Sequence, residues 1–329
     1  MDKKNNKILF LPKYPRLGAS SRLRTFQYLP LWEAAGWEYD ISPFFNEQYL
    51  KEHYAKMPIN KTNVLACYKR RWNALKKAEE YDYIIIEKEL FPFIPYALES
   101  WTLKKRAQYI IDYDDAVFHN YDLHGNRWIR AILKNKIDLL MARADQLWLG
   151  NEYLAARAQK AGANNILDLP TVIDWNKYQS AAKVGPSRPV IGWIGSPTTL
   201  KYLKNMKQVF EELMGQNDFF LNIIANGKGI GLEQGEQTFK WSEEKEVRLI
   251  QQLDIGIMPL NDSPWEQGKC AYKLIQYMAC GLPVVASPIG MNKKVVRHGE
   301  NGFLASSPEE WSRYLKLLLD DPALRERMG

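Results

Sequence analysis

Lys269 and Lys273 stand at the start of the stretch of this chain that holds the most chemistry, Gly268-Lys-Cys-Ala-Tyr-Lys-Leu-Ile-Gln-Tyr-Met-Ala-Cys-Gly-Leu-Pro-Val-Val-Ala-Ser-Pro-Ile-Gly290. Leu274, Ile275, Met278 and Ala279 recur at helical spacing, Gly281 is placed to stop the helix, and Pro283–Ala286 suits a buried parallel strand. Unsatisfied N–H groups at the helix start and two ammonium groups would seat a diphosphate. An ordinary strand–helix unit with solvated lysines fits the same pattern. A second candidate, Gly195-Ser196-Pro-Thr198-Thr199, follows an apolar run and opens a helix that Ser196 or Thr198 could cap. A third is Asp112, Asp114, Asp115 and His119, carboxylates and an imidazole at a strand's end, suited to acid–base work, a metal, or sugar hydroxyl contacts. Two adjacent aspartates alone seldom hold a metal. Glu87-Lys88-Glu89 ends another strand and faces the same way. Lys13, Arg16, Gly18, Ser20, Ser21, Arg22 and Arg24 form a basic loop entering a helix, a seat for an acceptor or donor phosphate. Helix capping by Ser20 or Ser21 beside exposed arginines is the plainer alternative.

Alternating strands and helices would hold these residues. The pattern predicts strands at 7–11, 37–41, 82–86, 107–112, 146–150 and 165–169, with helices at 20–35, near 46–56 and 62–79, at 126–143 and over 151–161. A polar segment with glycine and prolines, 176–188, reads as a linker between a first domain, 1–175, and a second, 189–329. The second half restarts the alternation: strand 190–194, helix 199–214, strand 219–225, helix 243–253, strand 254–258, then the motif region and a last helix at 308–319. Strands separated by helices imply right-handed crossovers and parallel sheets.

The run Lys273-x-x-Gln276-Tyr-Met-Ala-x-Gly-x-Pro-Val-Val285 resembles the donor-nucleotide segment of glycosyltransferase family 4. The likeness continues through Ser287–Asn292 and His298–Leu304, reaches back to Ile191–Thr199, and is strong over 186–329 but weaker over 1–185. It implies an α/β chain of GT-B fold, two Rossmann-like domains with parallel sheets facing across a cleft. The second domain would hold a nucleotide-diphosphate sugar and the first an acceptor, with retention of anomeric configuration and no metal or other cofactor. Lys273, with Lys269, would take up charge on the departing diphosphate. Gln276 occupies the place of the glutamate that bonds the ribose hydroxyls, and Gly268 that of an earlier glutamate, so that Glu266 nearby would reach the sugar. Ser196 stands where the family often has an arginine after Gly195, and Lys201 approximately matches a phosphate lysine. Ile289, Gly290, Met291 and Asn292 would contact the donor's phosphates or sugar. Asn226 opens a glycine-rich loop, Asn226–Gly231, read as a wall of the nucleobase pocket and not as a dinucleotide fingerprint. Asp114, Asp115 and His119 would line the reaction side, and Arg16, Ser20, Ser21, Arg22, Lys88 and Asp114 the acceptor. The expected activity is a retaining glycosyltransferase acting on a saccharide or lipid-linked acceptor in cell-surface polysaccharide synthesis. A GT-B sugar-nucleotide epimerase and a non-catalytic nucleotide-sugar-binding relative are the alternatives.

The net charge of +7 sits wholly in residues 1–185, which hold 28 Lys+Arg against 21 Asp+Glu; the remainder holds 17 of each. Basic excess attracts anionic lipid, nucleic acid or anionic substrates. No helix-turn-helix, zinc-finger or RNA-recognition signature accompanies it, which argues against nucleic acid. Tyr68, Trp72 and Leu75 form a narrow helical stripe flanked by Lys69, Arg70, Arg71, Lys76 and Lys77, and Arg127–Arg130 with Lys134 and Lys136 forms a second basic helix. An anionic membrane surface would engage such faces; packing of each stripe on its own domain is the alternative. Three cysteines make neither a disulfide framework nor a metal spacing, and the chain runs at once into a strand. A cytoplasmic protein, peripheral on the inner face of the plasma membrane, is the expectation.

Overall fold

A computed structural model describes residues 6–103, 108–178 and 188–329. Most of the expected linker, 179–187, lies outside the described residues. The chain divides into two compact units, Met1–Thr171 with Gln267–Cys270, and Val172–Glu266 with Ala271–Gly329.

The first unit runs β1 (Lys7–Leu11), α1 (Ala19–Arg24), α2 (Leu29–Ala34), β2 (Glu38–Ile41), α3 (Glu47–Tyr54), α4 (Lys61–Leu75), β3 (Tyr83–Glu87), α5 (Tyr96–Leu103) and β4 (Gln108–Tyr113). It continues with α6 (His119–Asp122), α7 (Arg127–Leu133), α8 (Lys136–Arg143), β5 (Gln146–Leu149), α9 (Glu152–Lys160) and β6 (Ile166–Asp168). Its six strands lie in the order β2-β1-β3-β4-β5-β6, every pairing parallel. Because β1 lies between β2 and β3, the connections leave its two sides in opposite directions. This opens a crevice beyond the carboxyl ends of β1 and β3.

The second unit runs β7 (Val190–Ile194), α10 (Leu200–Lys204), α11 (Lys207–Met214), β8 (Phe220–Ile224), β9 (Glu236–Phe239), α12 (Glu246–Ile250), β10 (Ile255–Met258) and α13 (Pro264–Gln267). Then come α14 (Tyr272–Ala279), β11 (Val284–Ala286), α15 (Asn292–Val295), β12 (Gly302–Leu304), α16 (Pro308–Asp320) and α17 (Pro322–Met328). The strand order β12-β11-β10-β7-β8-β9 is again all parallel, with its switch point between β7 and β10. Alternate β7 residues serve opposite faces. Ile191 and Trp193 pack with α11 and α16, while Val190 and Ile194 pack with Leu274 and Tyr277 of α14. A strand buried on both faces must be apolar throughout, and β7 is buried at all five positions.

Several elements differ from expectation. The helix read over 20–35 breaks at Thr25, and that over 199–214 breaks after Lys204. β9, the polar edge strand Glu-Gln-Thr-Phe, and the helices α5 and α6 carry no clear period and were not anticipated.

Candidate functional site

In the first unit the chain end of β1 and the start of α1 meet the ends of β3 and β4. Ser21 donates to Glu87 Oε2 at 2.5 Å, Lys13 N donates to the same oxygen at 3.2 Å, and Ser20 donates to Asp114 Oδ2 at 2.5 Å. Arg24 grips Asp112 through Nε and Nη2, and its Nη1 donates to Leu169 O at 2.7 Å. Lys88 is buried with φ of +67° and lies 3.0 Å from Asp114 and 2.8 Å from Asp115. Left-handed backbone at a lysine is strained, and such strain concentrates at functional positions. Burial would raise the Asp114 carboxyl, but Lys88 and Arg24 outweigh it and hold it below the usual carboxylate range. Glu87 goes the other way: burial, helped by the Asp114 charge, raises it against the pull of Lys88. A carboxylate fixed beside an ammonium and a second carboxyl pushed toward its neutral form thus sit at the adjacent ends of β4 and β3, a polar surface suited to hydroxyl groups.

The predicted acceptor residues Ser20, Ser21, Lys88 and Asp114 are therefore brought together. Ser21 and Ser20 do not cap α1, whose N-cap, Gly18, has no side-chain bond. Arg22 is buried, not an exposed arginine, and Arg16 lies on the preceding loop. His119 departs from its predicted role, because both ring nitrogens are engaged, Nδ1 with Asp122 and Nε2 with Tyr153, each at 2.8 Å. The metal reading of the aspartates meets cations already in place, Arg24 at Asp112 and Lys88 at Asp114 and Asp115. Lys269 belongs with this unit, 3.9 Å from Asp115, not with the donor residues as expected. Gly268 is needed there: a Cβ would come within 2.5 Å of the Ala116 side chain.

In the second unit the β7–β10 ladder pairs Ile191 with Ile255 and Gly192 with Gly256 and goes no further. Beyond it the Tyr277 hydroxyl enters between the strands, accepting from Ile194 N at 2.9 Å and reaching Ile257 O at 3.4 Å. Gly256 makes the room, since a Cβ there would lie 2.3 Å from the Tyr277 ring. One turn earlier on α14, Lys273 Nζ stands 5.8 Å from the ring centroid of Trp193. An ammonium over an indole is a cation–π contact, which helps to orient the charge. Ala271 begins α14 in the left-handed region, φ +54°, and no side chain caps the helix. Gly195 follows β7 and admits no side chain, a Cβ meeting Trp193 at 2.4 Å. Ser287 Oγ accepts from Leu260 N, and buried Asn292 donates to Ser287 O, tying the ends of β10 and β11 together.

Gln276 is placed differently from its expected exposure to a ribose. It is 2% exposed and donates to Tyr178 Oη and Glu246 Oε1, so it fixes α14 to α12. Glu266 is equally withdrawn, with Oε1 bonded by Tyr202 and Oε2 by Ser263. The N-cap of α10 is Thr199, without a side-chain cap bond. Ser196 and Thr198 instead bond each other at 2.8 Å, and Ser196 N donates to Thr199 Oγ1. Lys201 is exposed on α10, over the Tyr202 ring. Asn226 is exposed at the end of β8, and the loop after it is folded over Glu236, whose Oε2 accepts from the N–H groups of Ile230, Gly231 and Leu232. Asn292 braces its own loop; Ile289, Gly290 and Met291 lie between it and β11, with Gly290 at φ +50°. Tyr277 and Trp193 are structural members of the second-unit site to which the residue patterns gave no role, although Tyr277 was inside the motif. Glu87 and Arg24 were in the candidate strand end and basic loop, and the structure gives them Ser21 and Asp112 as partners.

Residues 188–321 match the family model for glycosyl transferases group 1, which spans most of the second unit. A glycosyltransferase named for teichuronic acid biosynthesis in Bacillus subtilis (strain 168) is 26% identical over 190 residues, 50% of this chain and 46% of its own. The chain thus spans about half the length of that curated relative. Sucrose-phosphate synthase from Thermosynechococcus elongatus shares the fold with a TM-score of 0.70 at 13% identity, over 99% of this chain and 92% of that one. HepE from Anabaena, solved with UDP-glucose, gives 0.66 at 16%, over 98% and 92%. The fold is GT-B, two Rossmann-like domains, and the family match supports a transferase of the group 1 type.

Proposed function

We propose that the chain is a retaining, metal-independent glycosyltransferase that takes a nucleotide-diphosphate sugar on the second unit and a saccharide or lipid-linked acceptor on the first. The observation that carries the reading is Lys273, held over Trp193 beside the Tyr277 wedge at the switch point of the second sheet. Ligands of open α/β sheets bind at such points. An ammonium fixed there would stabilise the negative charge that develops on a leaving diphosphate, and it is in place before reaction. Ser20 with Asp114 and Lys88 with Asp115 would hold acceptor hydroxyls. The name of the Bacillus relative favours a cell-surface polysaccharide as product. Among the described residues no helix is long and apolar enough to cross a membrane, so an anionic bilayer would be met from its surface.

Calorimetry with UDP, with which HepE has also been solved, is the first test. Lys273→Ala is expected to weaken UDP binding by about 1.5–3 kcal/mol, the scale of a charge-assisted contact. Unchanged affinity would remove Lys273 from the site. With a UDP-sugar donor, transfer should survive EDTA and the product should keep the donor's anomeric configuration. Chelation that abolishes transfer until Mg²⁺ is restored would reverse the metal-independent reading. Conversion of the free nucleotide sugar without an acceptor would mark an epimerase instead.

A further inference from the structure

The first unit carries a cavity of about 500 Å³ between α4 and α5, apart from the strand-end site. It is lined by Tyr68, Trp72, Phe91, Ile94, Leu98 and Trp101, with Lys69 and Thr102 at its edge. Nothing in the transfer reaction described above uses it. Its floor is held rigidly by polar groups. Tyr68 donates to Pro92 O, Glu99 accepts from Phe91 N, and the Tyr121 hydroxyl accepts from Phe93 N. Its rim is apolar and open to water: Trp101 is 67% exposed, Leu98 61%, and Trp72, stacked on Trp101 at 6.0 Å, 41%. Phe93, next to the floor, takes φ of +58° with its ring half exposed, a strained turn that leaves an aromatic in solvent.

Among the described residues that line the cavity, Lys69 is the one that carries a charge. The exposed face of α4 reads Lys61, Leu65, Lys69, Trp72, then Lys76 just past its end, and α4 contains no carboxylate. The one acid of α5, Glu99, points inward to Lys136. Two of the arginines expected on this face are not there: Arg71 is fully buried against the carbonyls of Leu90, Pro12 and Ser42, and Arg70 donates to Phe44 O. What remains is an apolar slot rimmed by indoles, with the Lys69 ammonium at its edge and further exposed lysines along α4. An apolar slot with an ammonium at its edge, on a helix without carboxylates, complements an anionic lipid, which supplies both the chain and the phosphate.

We propose that this cavity takes one acyl chain of an anionic membrane lipid, with the lipid phosphate on Lys69, and so seats the first unit on an anionic leaflet. The proposal deepens the acceptor side of the function above. Its test contains no donor, so failure of transfer and failure of this site are separable.

Dodecyl phosphate below its micelle concentration is the monomeric probe, and the binding partners for co-sedimentation are phosphatidylcholine vesicles with and without phosphatidylglycerol. One saturable calorimetric site for dodecyl phosphate is expected, with none for inorganic phosphate or dodecyltrimethylammonium. Sedimentation is expected only with phosphatidylglycerol. Ile94→Trp, which fills the slot, and Leu98→Asp, at an exposed position that leaves folding intact, should each weaken both readouts at least about tenfold while the circular dichroism is unchanged. Absence of a saturable site, equal binding by both variants, or a dimer in sedimentation velocity that Leu98→Asp dissolves would overturn the assignment.

Discussion

Lys136 sits between two carboxylates, 3.1 Å from Glu89 and 3.1 Å from Glu99, all three buried. The two acids titrate in opposite directions. Burial raises Glu99 to about 7 against the pull of Lys136, while Lys13 and Lys136 overcome burial at Glu89 and lower it to about 2. Both start from 4.5. The raised group contributes stability that is complete below 4.5 and is lost as the pH climbs through about 7; the lowered group contributes above 4.5 and loses it as the pH falls through about 2. Each shift corresponds to about 3 kcal/mol. Glu99→Gln should therefore leave stability near pH 4.5 little changed and remove the decline between there and about pH 7, as read by urea denaturation across that window. These residues also mark where sequence reading stops. Lys136, Arg71 and Gln276 read as solvated or ligand-facing because charged and amide side chains are mostly exposed. Each is instead buried by partners far off in sequence, Glu89, Pro12 and Tyr178 among them, which no local pattern announces.

At the scale of elements, α14 is positioned by two side chains, Tyr277 in the β7–β10 gap and Gln276 on α12, and by the absence of one, at Gly256 beneath the tyrosine ring. Tyr277→Phe leaves the buried Ile194 N–H without its acceptor, which costs about 1–3 kcal/mol in stability, measurable as a shift of the urea midpoint. Gly256→Ala overpacks the same contact and should cost a similar amount, about 1–3 kcal/mol, and weaken UDP binding by displacing Lys273. The strands and the motif helix were legible because β7, β10 and β11 are unbroken apolar runs and α14 has a clean helical stripe with a glycine stop. β9 was not, since Glu236–Phe239 is short, polar and at the sheet's edge, where burial imposes no pattern.

Each unit has its own sheet and its own core, so a ligand of one acts first on that one. UDP at about a hundredfold its Kd should stabilise the second unit by about 2.7 kcal/mol. Hydrogen exchange is the measurement. Slowed exchange is expected at β7, β10 and α14, with β1 and β3 unaffected, and protection confined to the first unit would contradict the assignment of the donor. The strand order of the second sheet also governs the order of assembly on the ribosome. β7 emerges first but occupies the middle, and Ile191 must wait for Ile255 before its second neighbour exists. Until then one edge of a fully apolar strand stays unpaired, and closing such distant parallel pairings is slow. The nascent second unit is consequently at its most aggregation-prone between the synthesis of β8 and that of β10, an interval in which chaperone capture, not intrinsic stability, would decide the yield of folded protein.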